Sequence, residues 1–324
     1  MTTSGTYTFS VTRDQIIRQA MLNIGALYEG ETPSAQEVSD CALVLNMMCK
    51  QWQAKQDFAP GLKVWTRSRG ELYLSNATGQ YNLGAAATGW GATHNQTTTT
   101  ATVAAAGTTV PIASATGWTS GDYCGVVQDS GVIFWTTATI AGTTLTLASG
   151  LTSQATAGAY VFNFTTRPVR PEVIETAVLR NVYYSDIPLD LMTLQDYEFM
   201  PTKASNSYTG DPRAIYYEYR LDGSSSGVLY TDVGAASDTT KHIHLVYLSP
   251  IQDFTTASDN PQYPQGYYMA LAWGLAEQIV TMFNKPWTQQ HAINAGKAIG
   301  MAQEAFGETS SLYFEPGNDG RIRR

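Results

Sequence analysis

A chain of 324 residues has room for about two domains and can bury a core without metal or disulfide support. Charged residues make up 14% and apolar ones 43%, which excludes a highly charged disordered chain; Thr, Ser, Gly, Gln, Asn and Ala fill the difference. Acidic residues outnumber basic ones 27 to 19, a net charge of −8 that excludes a globally basic nucleic-acid binder.

No run approaches the roughly 18 apolar residues of a membrane span. Residues 1–10 carry neither a basic nor an apolar stretch, so no secretory signal is expected. Of the three cysteines, Cys41 and Cys49 fall eight positions apart on one predicted helix, about 12 Å, too far to bridge. Cys41, Cys49 and Cys124 read as buried thiols of a protein made in a reducing cytosol.

Two helices open the chain. Thr12 and Gln15 fit a capping box, and Ile16, Ile17, Ala20, Met21 and Ile24 recur at helical spacing until Gly25 and Gly30 stop the pattern. The second helix starts with Thr32 as cap and Pro33 at its first position, or with Ser34 as cap and Glu37 as its partner. Its apolar stripe is Val38, Cys41, Ala42, Leu45, Met48, Cys49 and Trp52. The pair is expected to form an antiparallel helical hairpin.

The period then changes. Val64, Trp65 and Thr66 read as a strand, as do residues 71–74. No Lys or Arg occurs between Arg69 and Arg167, where only Glu71, Asp122 and Asp129 are acidic. Within this Thr- and Gly-rich stretch, short strands are expected at 100–103, 108–112, 123–127, 132–136, 143–147 and 159–164, a pattern of a small antiparallel barrel or sandwich. Residues 92–100 admit a low-complexity disordered reading, which fails further on because aromatic and β-branched content is too high. A short helix is expected from Pro171, carrying Val173, Ile174, Ala177 and Val178. Strands return at 216–221, 227–230 and 242–248, the first two joined by a loop at 223–227. A helix follows Pro264, with Tyr267, Leu271, Gly274, Leu275, Gln278, Ile279 and Met282, and Asn284, Lys285 and Pro286 break it. The last helix runs from 288 to 306 with the stripe Ala292, Ala295, Gly296, Ile299, Ala302 and Phe306; an aperiodic tail closes the chain.

The expected fold is α+β: an N-terminal helical hairpin and C-terminal helices forming a bundle, with a large inserted antiparallel β-barrel or sandwich region. The expected divisions are 1–60, 61–165, 166–260, 261–306 and the tail 307–324.

Chemistry is sparse. Gly223, Ser225 and Gly227 match a nucleophile-elbow spacing, but strands flank them where a strand and a helix are needed, so a Ser225 hydrolase stands only as a foil. His242 and His244 alternate on one strand and would face one side, without a third metal ligand at a known spacing. Asp186 with Asp190, and Asp253 with Asp259, read as solvated loop acids. Tyr216, Tyr217, Tyr219, Tyr263, Tyr267 and Tyr268 read as packing residues. No phosphate-cradling or dinucleotide glycine motif occurs. No catalytic residue, metal or cofactor is expected.

Three groups of residues carry a resemblance: Thr12, Gln15, Met21 and Gly25 followed by Met47, Met48 and Trp52; Pro261, Tyr263 and Pro264 followed by Ala270, Trp273, Gly274 and Ala276; and, between them, Ile187, Pro188, Leu189, Leu194, Tyr197, Pro201, Lys203, Gly210, Asp211 and Pro212. Their order resembles the head-to-tail adaptor family of tailed bacteriophages, especially short-tailed ones, which complete the head and stabilise packaged DNA. The resemblance covers about a third of the chain firmly. It implies a dodecameric homo-oligomer ring under the portal protein, in the neck of a virion assembled in the host cytoplasm. DNA would pass through the channel without sequence-specific binding, and nozzle or fibre proteins would dock distally. The tail, with Leu312, Tyr313, Phe314, Arg321, Arg323 and Arg324, would reach onto the portal. The low-charge β surface agrees, because few ions lose hydration when it is covered. The alternative is a decoration or adhesion protein whose β region binds host-surface glycan through Trp90, Trp118 and Trp135.

Overall fold

The structure is a computed structural model that describes residues 5–54, 64–85, 87–93, 95–181, 185–201, 203, 209–220, 226–235 and 240–305. The fold is mixed α+β and divides into two compact units, Met1–Trp65 with Ile251–Arg324, and Thr66–Pro250.

The first unit is built on helices α1 (Arg13–Asn23), α2 (Ala35–Ala54), α4 (Tyr268–Ile279) and α5 (Gln289–Ala305). Each start is fixed locally. The Thr12 hydroxyl accepts from the Gln15 N–H at 3.4 Å, and the Thr12 N–H donates to Gln15 Oε1 at 2.9 Å. For α2 the cap is Ser34, which accepts from the Glu37 N–H at 3.3 Å while its own N–H donates to Glu37 Oε2 at 2.8 Å. The Ser34 N–H, and after it the Ser34 hydroxyl, hold the Glu37 carboxyl below its ordinary value. Pro264 precedes a 3-10 turn (Gln265–Tyr267) that runs into α4. The Thr288 hydroxyl accepts from the His291 N–H at 3.3 Å and starts α5.

Ile17 and Met21 of α1, Leu45 and Cys49 of α2, Leu271 and Leu275 of α4 and Ala302 of α5 share one apolar cluster with Ile251, Phe254 and Tyr263. The Asn46 side chain seats the incoming segment on α2, donating to the Phe254 carbonyl and accepting from its N–H, both at 2.9 Å. The buried stripe of α5 differs from expectation: Ala295, Ala298 and Ala302 are buried, whereas Ala292 and Gly296 are exposed. Positions 295, 298 and 302 keep the i, i+3, i+7 spacing, so the helix is rotated by part of a turn. Phe306 lies outside the described residues.

The second unit holds three larger sheets. The first has the order β11 (Asp186–Pro188), β10 (Val173–Arg180), β17 (His242–Leu248), β1 (Arg67–Tyr73), β3 (Trp90–Gly91). Val64–Thr66 forms a 3-10 turn rather than a strand, and the Trp65 ring packs 4.7 Å from that of Tyr267. β10 overturns the helix expected from Pro171. A register shift between Ile174 and Thr176 inserts Glu175 as an extra residue. Ile174 and Ala177, three apart, are therefore both buried on a strand, and the bulge imitates a helical period.

The second sheet has the order β12 (Asp190–Leu191), β14 (Ala214–Glu218), β15 (Ser226–Thr231), β2 (Gln80–Gly84). β12 runs parallel to β14, and so does β13 (Thr209–Gly210) to β16 (Gly234–Ala235) in a separate pair, so the β region is not purely antiparallel. The short α3 (Leu194–Phe199) starts on a Thr193–Asp196 capping box. Leu72, Trp90, Ile174, Leu179 and Ile243 of the first sheet share a core with Leu83, Ile215 and Leu229 of the second.

The third sheet has the order β4 (Asn95–Thr98), β9 (Tyr160–Phe164), β6 (Tyr123–Val127), β7 (Ile133–Ala141), β8 (Thr144–Leu147), β5 (Thr109–Pro111). A bridge between Thr99 and Ile112 brings its two edges together, curling it into a half-barrel. Val110, Cys124, Val126, Leu145 and Val161 fill the inside. β4 falls in the segment whose composition admits a disordered reading, and resolves it as a strand. Residues 100–103, expected as a strand, contribute only the bridge from Val103 to Ala155. The buried Asp122 carboxylate is satisfied by the Thr119 N–H at 2.8 Å, the Asn163 amide at 2.6 Å and the Thr165 hydroxyl at 2.9 Å.

Candidate functional site

The ionisable candidates are held in structural contacts. His242 and His244 share a face of β17, with Glu71 directly opposite His244. Glu71 Oε1 lies 3.6 Å from His244 Nδ1 and 4.0 Å from His242 Nε2. Arg180, opposite His242 on β10, donates to both oxygens of Asp186 at 2.7 and 2.8 Å and holds that carboxyl below its usual range. Among the described residues no group of three His, Cys, Asp or Glu side chains gathers with metal-binding geometry.

Three of the four acidic candidates contact other groups: Asp186 meets Arg180, Asp253 meets Lys50 and Asp259 meets Thr255 and Thr256. Asp186 and Asp190 are not loop acids: they open the short strands β11 and β12, which pair into different sheets. Asp253 sits 2.8 Å from Lys50. Asp259 accepts from the N–H groups of Thr255 and Thr256, both at 2.6 Å. Ser225 lies outside the described residues, and the flanking β14 and β15 pair as antiparallel strands. Cys41, Cys49 and Cys124 are free and buried; burial pushes their thiols up to about 11, 11 and 12, which keeps them protonated.

The aromatic candidates separate by burial. Tyr263 and Tyr267 belong to the helical core, Tyr216 stacks on Tyr197 at 5.4 Å, and the Tyr217 hydroxyl donates to the Pro171 carbonyl. Tyr219 lies under the Arg170 guanidinium at 4.0 Å. Trp90 is 0% exposed and donates to the Pro168 carbonyl at 3.2 Å, so it offers no face to a glycan. Trp118 packs against the half-barrel core with its N–H buried. Trp135 is a half-buried wall of a cleft.

The expected docking residues Leu312, Tyr313, Phe314, Arg321, Arg323 and Arg324 lie outside the described residues. The described part of the helical unit carries a cleft of about 400 Å³ lined by Phe9, Val11 and Ile16 on one side and Tyr268, Met269 and Ala272 on the other. Gln265 fixes the N-terminal segment by donating to the Tyr7 carbonyl at 3.1 Å, and Phe9 meets Tyr268 at 6.0 Å between ring centroids. Tyr7, Phe9 and Met269 remain 90%, 67% and 56% exposed. On α2, Leu43 and Met47 stand exposed one turn apart. Around the cleft the polar lining is Ser10, Gln15, Gln19 and Gln265, all neutral. Such a surface can cover apolar side chains of a partner, at about 1.5–3 kcal/mol for each large one fully buried. Sequence reasoning passed over Tyr7 and Phe9, although with Val11 they alternate as apolar residues in a polar stretch.

No protein-family model matches the chain, and no curated protein matches it significantly.

Proposed function

We propose that the chain is a non-enzymatic structural protein of a tailed-phage virion, a head-to-tail adaptor. Copies form a dodecameric ring under the portal, extend the DNA channel, help retain the packaged genome and give tail components a platform. In this reading α1 and α2 act as a helical hairpin, α4 and α5 complete a bundle with it, and the tail from Gly307 reaches onto the portal. The observation that carries it is the chain order. Helices from the N-terminal and C-terminal parts of the sequence build one apolar cluster, with the whole of Thr66–Pro250 inserted between them. The exposed Phe9, Met269, Leu43 and Met47 supply apolar surface for assembly.

Light scattering on the purified protein, alone and mixed with the portal of the same virus, tests the reading. A monomer that becomes a ring on the portal, or a ring formed alone that then binds portal, supports it. A protein that stays monomeric and ignores the portal overturns it.

A further inference from the structure

The β unit contains a second cleft, of about 370 Å³, that the adaptor reading does not use. Its walls come from the end of β1 (Tyr73), the turn that follows (Ser75, Thr78), β2 (Gln80, Tyr81, Asn82), Thr88, and the start of β7 (Ile133, Trp135). We propose that this cleft binds a neutral saccharide, with Trp135 as stacking platform and Gln80, Asn82 and Thr88 as hydrogen-bonding groups to sugar hydroxyls.

The aromatic wall is set before any ligand arrives. The Trp135 ring lies 5.2 Å from Tyr73 and 5.5 Å from Phe164. Gly125 is its cross-strand neighbour, and a Cβ there would come within 2.6 Å of the ring. Gly89, at φ +70, closes on the indole edge, where a Cβ would lie 3.1 Å from Nε1. Two positions without side chains thus leave the ring its place, and a fixed platform spares a ligand the cost of ordering it.

The polar wall is available. β2 is an edge strand, and Gln80 and Asn82 alternate outward while Tyr81 and Leu83 point into the core. The Gln80, Asn82 and Thr88 side chains make no hydrogen bond among the described residues. By contrast, Tyr81 is anchored, donating to the Thr78 carbonyl at 2.8 Å, and the Ser75 hydroxyl accepts from the Ile133 N–H at 3.1 Å. Amide side chains offer both donors and acceptors, which matches hydroxyls that are themselves both.

Charge and polarity select the ligand class. Every lining residue is neutral, and the stretch 70–166 that supplies all of them contains no Lys or Arg. A phosphate, sulfate or carboxylate would find no cation to pair with. An oily ligand would strip the amides and hydroxyls of water without replacing their bonds. A sugar ring satisfies both walls, with apolar C–H faces against the indole and hydroxyls toward the amides, and the volume lies within the range of small-molecule sites.

The test uses the full chain on an array of neutral, sialylated and sulfated mono- and oligosaccharides, with calorimetry on each hit. The expected result is binding to neutral sugars, weakened about tenfold by Gln80→Ala/Asn82→Ala, two exposed changes that leave the melting temperature in place. Trp135→Ala abolishes binding, and Trp135→Phe restores part of it. Binding to a monosaccharide marks a free sugar as ligand, whereas a requirement for three or more linked units marks a polysaccharide chain. No neutral binder at millimolar concentration, binding confined to charged glycans, or affinity unchanged in Gln80→Ala/Asn82→Ala overturns the proposal. Ring formation is read separately, so either reading can fail alone.

Discussion

Replacing Gly70 by Ala tests the packing that removes Trp90 from the surface. Gly70 lies in β1, and a Cβ there would sit 2.2 Å from Trp90 Cη2, with the next two ring carbons at 2.7 and 2.8 Å. Non-bonded carbons need about 3.5–4.0 Å, so the ring must retreat by more than roughly 1 Å. It has little room to do so. Trp90 is 0% exposed, its N–H is committed to the Pro168 carbonyl at 3.2 Å, and its ring meets Tyr247 at 5.6 Å. Overpacking of this kind costs about 1–3 kcal/mol, and a weakened buried hydrogen bond adds about 1. Relief of glycine's backbone entropy returns about 0.5–1. The net loss is about 1–3.5 kcal/mol, a fall in melting temperature of roughly 2–14 °C for a unit of this size. Thermal unfolding followed by circular dichroism and tryptophan fluorescence measures it. A Gly70→Ala protein melting within about 1 °C of the wild type refutes the argument. Adding Trp90→Leu to Gly70→Ala closes a double-mutant cycle, which is expected to show at least about 1 kcal/mol of coupling because the two side chains compete for one volume.

Three further outcomes follow from local chemistry. Ser34→Ala removes the cap of α2 and is expected to cost about 1 kcal/mol, while Thr32→Ala stays within about 0.5; equal effects would show that the cap is assigned to the wrong residue. The Asp259 carboxyl is held below its ordinary 3.8, first by the Thr256 hydroxyl and then by the Thr256 and Thr255 amides. A depressed folded-state value adds stability above pH 3.8 and loses it as the pH falls through that folded value. Asp259→Asn should therefore melt below the wild type at pH 7, and the gap should narrow steadily under pH 3.8; a constant gap contradicts this. Cys41, Cys49 and Cys124, buried and protonated, should resist iodoacetamide at pH 8 in the native protein and react fully in guanidinium; rapid native labelling of any of the three would mean that it is exposed.

The candidate sites were legible in the sequence only in part. Low charge from residue 70 to 166 already pointed to a neutral surface, and Trp135 stood among the indoles considered for stacking. Nothing in the local pattern distinguished it from Trp90. The two differ because β3 carries Trp90 inward against Gly70, whereas β7 carries Trp135 to a cleft beside the edge strand β2. Gln80 and Asn82 gave no signal, since an amide is informative only once its lack of a partner is known. The apolar cleft beside Phe9 was missed for the same reason: α1 and α4, more than two hundred residues apart in the chain, form its walls together.

What the sequence determines by itself is what neighbouring residues decide between them. Capping boxes at Thr12 and Ser34 start α1 and α2 through hydrogen bonds three residues long. Turn glycines such as Gly117, Gly131 and Gly158, all at positive φ, separate the strands of the half-barrel. Tertiary structure decides the rest, because pairing across a sheet can overrule a local period. β10 is a strand because β17 needs a partner on each side and the bulge at Glu175 brings Ile174 and Ala177 to one face. α5 buries Ala298 and exposes Gly296 because the helices it packs against choose its face. Spacing along the chain specifies which residues can be buried together; only the distant partners determine which of them are.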